Sequence, residues 1–515
     1  MRTRAGIIAA ALAITAACCG PSLAEESQAW KWCVNEDKAS PDLQISGCTT
    51  VIQSGRETSK NMAIAFNNRG NAFHDKKEYD RAISDYDQAI KLDPKYARAF
   101  YNRGISYADK GMDDRAISDY DQAISLSPRY AHAYGNRGLA YSHKKDYERA
   151  IRDYNDAIRF DPSNAIDYNN RGNAYYDKGD YDHAIDDYGL AIQHDKNYAS
   201  AYNNRGNAYY AKDDYDKAIL EYTQAIRLDP KYGVAYANRG RAYREKGDTD
   251  SALDNYEQAI KYDPDNPRTL NDRGNAYHSK KDYDRALADY DRAIRIDPDY
   301  SFPYNNRGIT YADKGDYDRA IADYDRAIRL DPKYVDAYNN RGHAYARKKD
   351  YDRAIKDYDK ALDLKPDFVR AHSNRADAYE AKNDYQRALA DYDQIIRQEP
   401  GNSGAWNSRC WARAIVGANL NGAMDDCNES LRLKPDTANT IDSRALVNLK
   451  LGDLDAALAD YDKALALNPK LVGSLYGRGV VKQKKGDSAG ASDDMAAAKA
   501  IKSDIADEWA KYGVR

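Results

Sequence analysis

Residues 335–368 read VDAYNNRGHAYARKKDYDRAIKDYDKALDLKPDF, and this stretch decides the fold. Apolar or small residues stand at its positions 4, 8 and 11, which is the spacing of one helix face. A second helical set follows at positions 17, 20, 21, 24, 27, 28 and 30. Between the two sets, Asp350 suits the N-cap of a helix, and Pro366 ends the second helix. The stretch therefore predicts two helices joined by a tight turn.

The same pattern recurs along the chain at a period of 34 residues, and the arginine at its position 7 marks the register. This arginine is found at 69, 103, 137, 171, 205, 239, 273, 307, 341, 375 and 409, then at 444 after one extra residue, and at 478. Thirteen units result: ten regular ones over 63–402 and three degenerate ones over 403–505. One elongated array is therefore expected in place of several globular domains.

The turn at positions 15 and 16 predicts which residues of a unit face each other. In an antiparallel hairpin, position 4 then faces 27, position 8 faces 24, and position 11 faces 20. In most units these pairs are Tyr with Ala, Gly with Tyr, and Tyr with Ala, so a large residue faces a small one. A single hairpin cannot bury both of its faces, and neighbouring hairpins must therefore stack.

Together, the period and the residues at positions 4, 8, 11, 20, 24, 27 and 32 resemble the tetratricopeptide repeat over residues 63–505. The resemblance implies an all-α fold, a right-handed superhelical α-solenoid of antiparallel helix pairs. It also implies that the first helix of each pair lines a concave groove. In general terms, the chain is similar to the secreted repeat proteins of Gram-negative bacteria.

One departure from the family pattern concerns position 7, where the family usually has a partly buried Leu and all thirteen units have Arg. Position 23, within reach across the hairpin, is Asp or Glu in twelve units, and Asn255 is the exception. We predict an Arg–carboxylate bridge in nearly every hairpin, for instance between Arg341 and Asp357. The alternative is that each arginine extends to water.

The N-terminus has the pattern of a signal peptide over residues 1–24. Arg2 and Arg4 precede a short apolar stretch, and small residues stand before Glu25. A periplasmic or secreted location is expected. A lipid anchor at Cys18 or Cys19 is the alternative, although the preceding residues lack the Leu usual in a lipoprotein motif. No later stretch is apolar enough to predict a transmembrane helix.

Four cysteines follow the predicted signal peptide: Cys33, Cys48, Cys410 and Cys427. Outside the cytoplasm an even count favours disulfides. Of three possible pairings, chain proximity favours 33 with 48 and 410 with 427. The second pair also occupies positions 8 and 24 of one unit, which face each other. A zinc site is the rival, but the chain lacks a C-x-x-C motif.

Both ends are expected to cap the array, as solenoids require. Residues 25–62 are not a repeat and predict a helical cap whose helices are joined by a disulfide between Cys33 and Cys48. Its main helix should run from about 41 to 53, after a shorter one around 30–35. Residues 506–515 predict a capping helix, because Trp509 and Tyr512 continue an apolar face.

The sequence carries no catalytic, cofactor-binding or metal-binding motif, and we expect no enzymatic activity. The net charge of −4 gives no basic stripe for nucleic acid. Binding is expected on the first-helix groove instead. Position 6 is Asn in nine of the first ten units: Asn68, Asn102, Asn136, Asn170, Asn204, Asn238, Asn306, Asn340 and Asn374.

Such an asparagine ladder fits the backbone of an extended peptide, because one amide both donates and accepts hydrogen bonds. The variable position 9 would then read the side chains of a protein partner. The alternative is that Asn at position 6 is ordinary family consensus. The main functional hypothesis is an extracytoplasmic scaffold for protein–protein interaction. The alternative is an envelope polysaccharide-binding or export and assembly scaffold, in which Tyr176 and Tyr210 stack on sugars.

Overall fold

The computed structural model describes residues 23–36, 38–417 and 419–514. Within these residues every regular element is an α-helix, and there are 29 of them. The first two precede the repeats: α1 spans Leu23–Cys33 and α2 spans Pro41–Ser54. The last, α29, spans Ile505–Lys511.

The helices α3 to α28 form thirteen pairs, one for each predicted repeat. We call the first helix of each repeat its A helix and the second its B helix. In chain order these pairs span Ser59–Asp75 and Tyr79–Leu92, Ala97–Asp109 and Asp113–Leu126, Ala131–His143 and Tyr147–Phe160, Ala165–Asp177 and Tyr181–His194, Ala199–Ala211 and Tyr215–Leu228, Gly233–Glu245 and Thr249–Tyr262, Pro267–Ser279 and Tyr283–Ile296, Ser301–Asp313 and Tyr317–Leu330, Val335–Arg347 and Tyr351–Leu364, Val369–Ala381 and Tyr385–Gln398, Ser403–Val416 and Leu420–Leu433, Ala438–Leu451 and Leu454–Leu467, and Val472–Lys484 and Ser488–Ile501.

The chain divides into two compact units, Met1–Asp263 and Pro264–Arg515. Within each unit the helices of a repeat pack on each other, and each B helix packs on the next A helix. Within each unit, successive A helices also contact one another except those of repeats 10 and 11, whereas B helices of the described repeats do not. The A helices therefore lie on the inner, concave side of each unit, and we call this side the A face. The predicted all-α solenoid of helix pairs is confirmed.

Each hairpin core is built on the large-to-small pairing predicted from the sequence. The glycine at position 8 lies against the tyrosine at position 24: a Cβ on Gly342 would be 2.7 Å from Cε1 of Tyr358. That ring is only 1% exposed, and Ala354 and Ala361 beside it are fully buried. The same glycine–tyrosine contact recurs in repeats 1 to 9.

The turn between the helices follows from positions 15 and 16. Position 15 has a left-handed backbone in every described repeat, with φ of 83° at Gly179 and 60° at Lys145. In ten repeats the Asp at position 16 then caps the B helix, as Asp350 does by accepting a hydrogen bond from the backbone N–H of Arg353 at 3.1 Å. The N-cap predicted for this position is confirmed.

The N-terminal region forms two helices, and the first begins earlier than predicted, at Leu23 and not near residue 30. The second matches the prediction, with Ser40 as its N-cap. Residues 1–22 of the predicted signal peptide, with Cys18 and Cys19, lie outside the described residues. No helix in the described part of the chain is long and apolar enough to cross a membrane.

The four cysteines approach each other in the pairs that chain proximity favours. The Sγ atoms of Cys33 and Cys48 are 2.07 Å apart, and those of Cys410 and Cys427 are 1.99 Å apart. Both pairs are fully buried. The first joins α1 to α2, and the second joins the two helices of repeat 11.

Candidate functional site

The arginine at position 7 makes the predicted bridge across its own hairpin. Arg341 donates from Nε and Nη2 to the two carboxylate oxygens of Asp357, at 2.8 and 2.6 Å. An Arg–carboxylate contact of this kind is present in twelve of the thirteen described repeats. The exception is repeat 6, where Arg239 faces Asn255. The bridge prediction is therefore confirmed.

The same arginine also binds a second carboxylate, which the sequence reasoning missed. Arg341 donates from Nη1 to Asp325 of the preceding repeat at 2.6 Å. Equivalent pairs join Arg103, Arg137, Arg307, Arg375, Arg409 and Arg478 to the preceding repeat. Burial disfavours the charged form of Arg341, but its bonds to Asp357 and Asp325 outweigh burial and raise its pKa. These arginines therefore join successive hairpins.

The nine predicted ladder asparagines lie on the A helices, where eight are half-buried and Asn238 is 4% exposed. Their amides donate mainly to asparagines at positions 5 and 9 of the preceding repeat. Asn204 donates from Nδ2 to Oδ1 of Asn169 at 3.1 Å and to Oδ1 of Asn173 at 3.2 Å, both on the preceding repeat. Asn102 and Asn238 make the same two bonds. Both amide hydrogens of these three residues are therefore used within the fold.

Other ladder residues donate one bond to the preceding repeat. Asn306, Asn340 and Asn374 each donate to the asparagine at position 5 there, at 2.9, 3.0 and 2.9 Å. Asn136 donates to the hydroxyl of Tyr101 at 3.0 Å. The ladder thus holds neighbouring A helices together, which is a structural role that the sequence alone did not indicate.

The ladder is interrupted between repeats 3 and 4. Gly135 and Leu139 stand where other repeats have the two accepting amides, so Nδ2 of Asn170 has no acceptor in the described part of the chain. Two apolar side chains on the same helices are exposed, Leu139 by 40% and Ile166 by 56%. The A face therefore offers a free amide donor beside apolar surface at this point.

A buried carboxylate lies in the same interruption. Asp167 is 4% exposed, and a Cβ on Gly135 would be 2.5 Å from its Oδ1 atom. Its other oxygen accepts a bond from Nδ2 of Asn164 at 2.7 Å. Burial raises the pKa of Asp167 to about 6.

Two further features of the A face are a pocket near its N-terminal end and a pair of half-buried tyrosines. A pocket of 400 Å³ at the start of the ladder is lined by Asn68, Asn71 and Asn102 together with Gln44 of α2. Tyr176 and Tyr210, proposed from the sequence as sugar-stacking residues, are half-buried. Their rings pack against Tyr181 and Tyr215, each at 5.4 Å.

The C-terminal segment lies on the A face of the last repeats. Trp509 is 2% exposed and packs on the ring of Tyr476 at 5.3 Å. It covers Gly477 at position 6, where a Cβ would be 2.6 Å from the indole. Tyr512 makes an edge-on contact at 5.7 Å with Trp411, which is at position 9 of repeat 11. Residues 505–514 therefore extend along the A face and do not only cover the last hairpin.

Family models of tetratricopeptide repeats match the chain over most of its length. A model described as "TPR repeat" matches 70–111, 140–179, 172–213, 308–349 and 445–486. Four models described as "Tetratricopeptide repeat" match segments between 97 and 402. Together these matches cover 70–402 and 445–486. No curated protein matches the chain in sequence.

Several solved structures are similar to parts of this chain. The structure titled "YrrB: a TPR protein with an unusual peptide-binding site" is 27% identical, covers 36% of this chain and 95% of its own, and has a TM-score of 0.30. The pilF protein of Pseudomonas aeruginosa is 20% identical, with 40% and 93% covered and a TM-score of 0.37. The Cut9–Hcn1 assembly of APC/C is 14% identical, with 88% and 96% covered and a TM-score of 0.43.

The repeat matches agree with the thirteen helix pairs, their glycine–tyrosine contacts and their left-handed turns. The chain belongs to the tetratricopeptide-repeat family.

Proposed function

We propose that this protein is an extracytoplasmic scaffold that binds an extended segment of a partner polypeptide along its A face. The observation that carries the proposal is the position of its own C-terminal segment. Residues 505–514 lie on the A face of the last repeats, with Trp509 buried and Tyr512 against Trp411. A face that holds one polypeptide segment through aromatic anchors has the shape and chemistry to hold another.

The interruption of the ladder supports binding farther along the same face. An extended peptide exposes backbone carbonyls, and the free Nδ2 of Asn170 is suited to donate to one of them. Leu139 and Ile166 supply apolar surface for a neighbouring side chain. At Asn204, by contrast, both amide hydrogens are already bonded. Asn170 is therefore suited to recognition, whereas Asn204 holds neighbouring repeats together.

The cysteines and the N-terminal pattern support an extracytoplasmic location. Two buried pairs at bonding distance are expected to be disulfides, which form and persist in oxidising compartments. A fusion of residues 1–30 to a reporter that is active only outside the cytoplasm tests export. Alkylation of the purified chain under denaturing conditions tests the pairing, because no free thiol is expected at these four positions. A silent reporter together with four reactive thiols would contradict this location.

Crosslinked capture from envelope extract of the source cell tests peptide binding. The wild type is compared with Asn170→Ala and with Asn204→Ala as the matched control. We expect Asn170→Ala to lose captured proteins at unchanged thermal stability. Asn204→Ala is expected to lower stability by about 1 kcal/mol, because two bonds to the preceding repeat are lost, and to keep the captured proteins.

Equal capture by all three forms would contradict binding at Asn170. Copurifying oligosaccharide without any captured protein would favour the polysaccharide-binding alternative. In that case Tyr176 and Tyr210 are the candidate stacking residues, and their replacement by Ala should release the sugar.

A further inference from the structure

A second pocket opens on the A face of repeats 10 to 12. It has a volume of 180 Å³, and its walls include Glu380, Asn407, Trp411 and Asp442. These residues come from three successive A helices, at positions 12, 5, 9 and 5 of their repeats. The pocket is therefore part of the face on which we propose that a peptide binds.

The carboxylate of Asp442 is buried without a positive partner. It is 8% exposed, and its Oδ1 atom accepts a bond from the hydroxyl of Ser474 at 2.5 Å. No hydrogen-bond donor in the described residues reaches its Oδ2 atom. The buried carboxylates at position 23 differ in this respect: Asp391, at 1% exposure, is held by Arg375 at 2.6 Å. A buried carboxylate without a cation is costly, and such groups are concentrated at functional sites.

The other walls of the pocket also present acceptors. Glu380 accepts a bond from the hydroxyl of Tyr392 at 2.8 Å, and burial raises the pKa of Glu380. Oδ1 of Asn407 is buried and has no hydrogen-bond partner in the described structure. The pocket thus gathers two carboxylates and an unpaired amide oxygen beside the indole of Trp411. These acceptors are complementary to a cationic group that donates several hydrogen bonds.

We propose that this pocket binds the lysine or arginine side chain of a basic peptide segment held on the A face. The inference rests on the proposed function and names one side chain of its ligand. An ammonium or a guanidinium group would donate to Glu380, Asn407 and Asp442, and a guanidinium group would also stack on Trp411. A metal ion fits less well, because among the described residues no three His, Cys, Asp or Glu side chains are grouped to hold one.

Selection from a phage-displayed library of random 12-residue peptides tests the proposal on the full chain. Three forms are compared: the wild type, the double variant Glu380→Gln/Asp442→Asn, and the control Asp363→Asn/Asp367→Asn. Both double variants remove two negative charges and keep the side-chain shapes. The two control residues are exposed and lie outside the pocket, on the B helix of repeat 9 and in the loop after it. Circular dichroism and thermal melting confirm that each form is folded.

We expect peptides selected by the wild type and by the control Asp363→Asn/Asp367→Asn to share a Lys or Arg at one place. The pocket double variant should lose this preference and bind a selected basic peptide roughly ten- to a hundredfold more weakly. Peptides without a shared basic residue, or an unchanged preference in the pocket double variant, would overturn the proposal and leave peptide binding intact. Selection of no peptide by any form would contradict the proposed function, and this inference with it.

Discussion

Nε of Arg239 lies 2.8 Å from Oδ1 of Asn255, the one neutral residue that takes the place of the bridging carboxylate within a hairpin of the described repeats. Burial lowers the pKa of Arg239, whereas Arg341, which is buried to a similar degree, has its pKa raised by two carboxylates. Repeat 6 therefore holds a half-buried cation without the countercharge that the other twelve repeats supply.

Replacement of Asn255 by Asp would restore that countercharge, and this is the first prediction. We expect Asn255→Asp to stabilise repeat 6 by about 1–2 kcal/mol, because a charge-assisted, two-point contact replaces a neutral bond. The converse change, Asp357→Asn, should destabilise repeat 9 by about 1–3 kcal/mol. Hydrogen exchange of amides in each hairpin measures both effects locally, which suits an array whose repeats open in segments. Equal protection in Asn255→Asp and the wild type would show that the arginine gains nothing from a carboxylate.

A second prediction concerns glycines within helices. Gly342→Ala should destabilise repeat 9 by about 1–2 kcal/mol, since the new Cβ would lie 2.7 Å from the buried ring of Tyr358. Gly189→Ala is the matched control, because its Cβ meets only Nη1 of Arg205 at 3.6 Å. There the better helix propensity of Ala should stabilise by up to about 1 kcal/mol. Urea unfolding compares the two variants, and a shift of the same sign in both would refute the packing argument.

The third prediction is a pH dependence at Asp167, whose pKa burial raises to about 6. The folded state therefore binds a proton more tightly than the unfolded chain, and stability falls as pH rises from about 4 to 6. At pH 7 the buried charge is costly, and Asp167→Asn should stabilise by as much as about 3 kcal/mol, at about 1.4 kcal/mol per tenfold change in proton affinity. Thermal melting between pH 4 and 8 measures the effect. Asp367→Asn, at an exposed position, is the matched control, and a profile in Asp167→Asn identical to that of the wild type would contradict the assignment.

The fourth prediction concerns the left-handed turn, where Lys145 has a φ of 60°. This conformation costs a non-glycine residue about 1–2 kcal/mol, and the flexibility of glycine in the unfolded chain offsets part of the gain. Lys145→Gly should therefore stabilise by about 0.5–1 kcal/mol. The preceding residue, Lys144, has a φ of −79°, and Lys144→Gly should destabilise by a similar amount. Denaturation midpoints that move the opposite way would show that the turn is not strained.

Much of the fold was predictable because each repeat is a local structure whose sequence pattern occurs thirteen times along the chain. The hairpin register placed Gly342 against Tyr358 and Arg341 against Asp357, and the structure confirms both contacts. These pairs lie 16 residues apart, so the position of a single turn determines them.

The contacts between repeats were not predictable in the same way. The bond from Arg341 to Asp325 and those from Asn204 to Asn169 and Asn173 depend on how one hairpin is rotated on the next. No pattern within a single repeat specifies that rotation. The contact of Tyr512 with Trp411 is still harder to predict from the sequence, because Tyr512 follows repeat 13 and Trp411 lies in repeat 11. The lack of an acceptor for Nδ2 of Asn170 likewise depends on contacts between repeats, and the repeat pattern alone does not predict it.

Photo-crosslinking from single positions tests most directly whether a partner binds the A face. A photoreactive amino acid replaces Leu139 on the A helix of repeat 3 or, as control, Leu220 on the B helix of repeat 5, which is 65% exposed. We expect a crosslinked polypeptide from position 139 that Asn170→Ala reduces, and none from position 220. Crosslinking from position 220 alone would place the partner on the B helices and contradict binding on the A face.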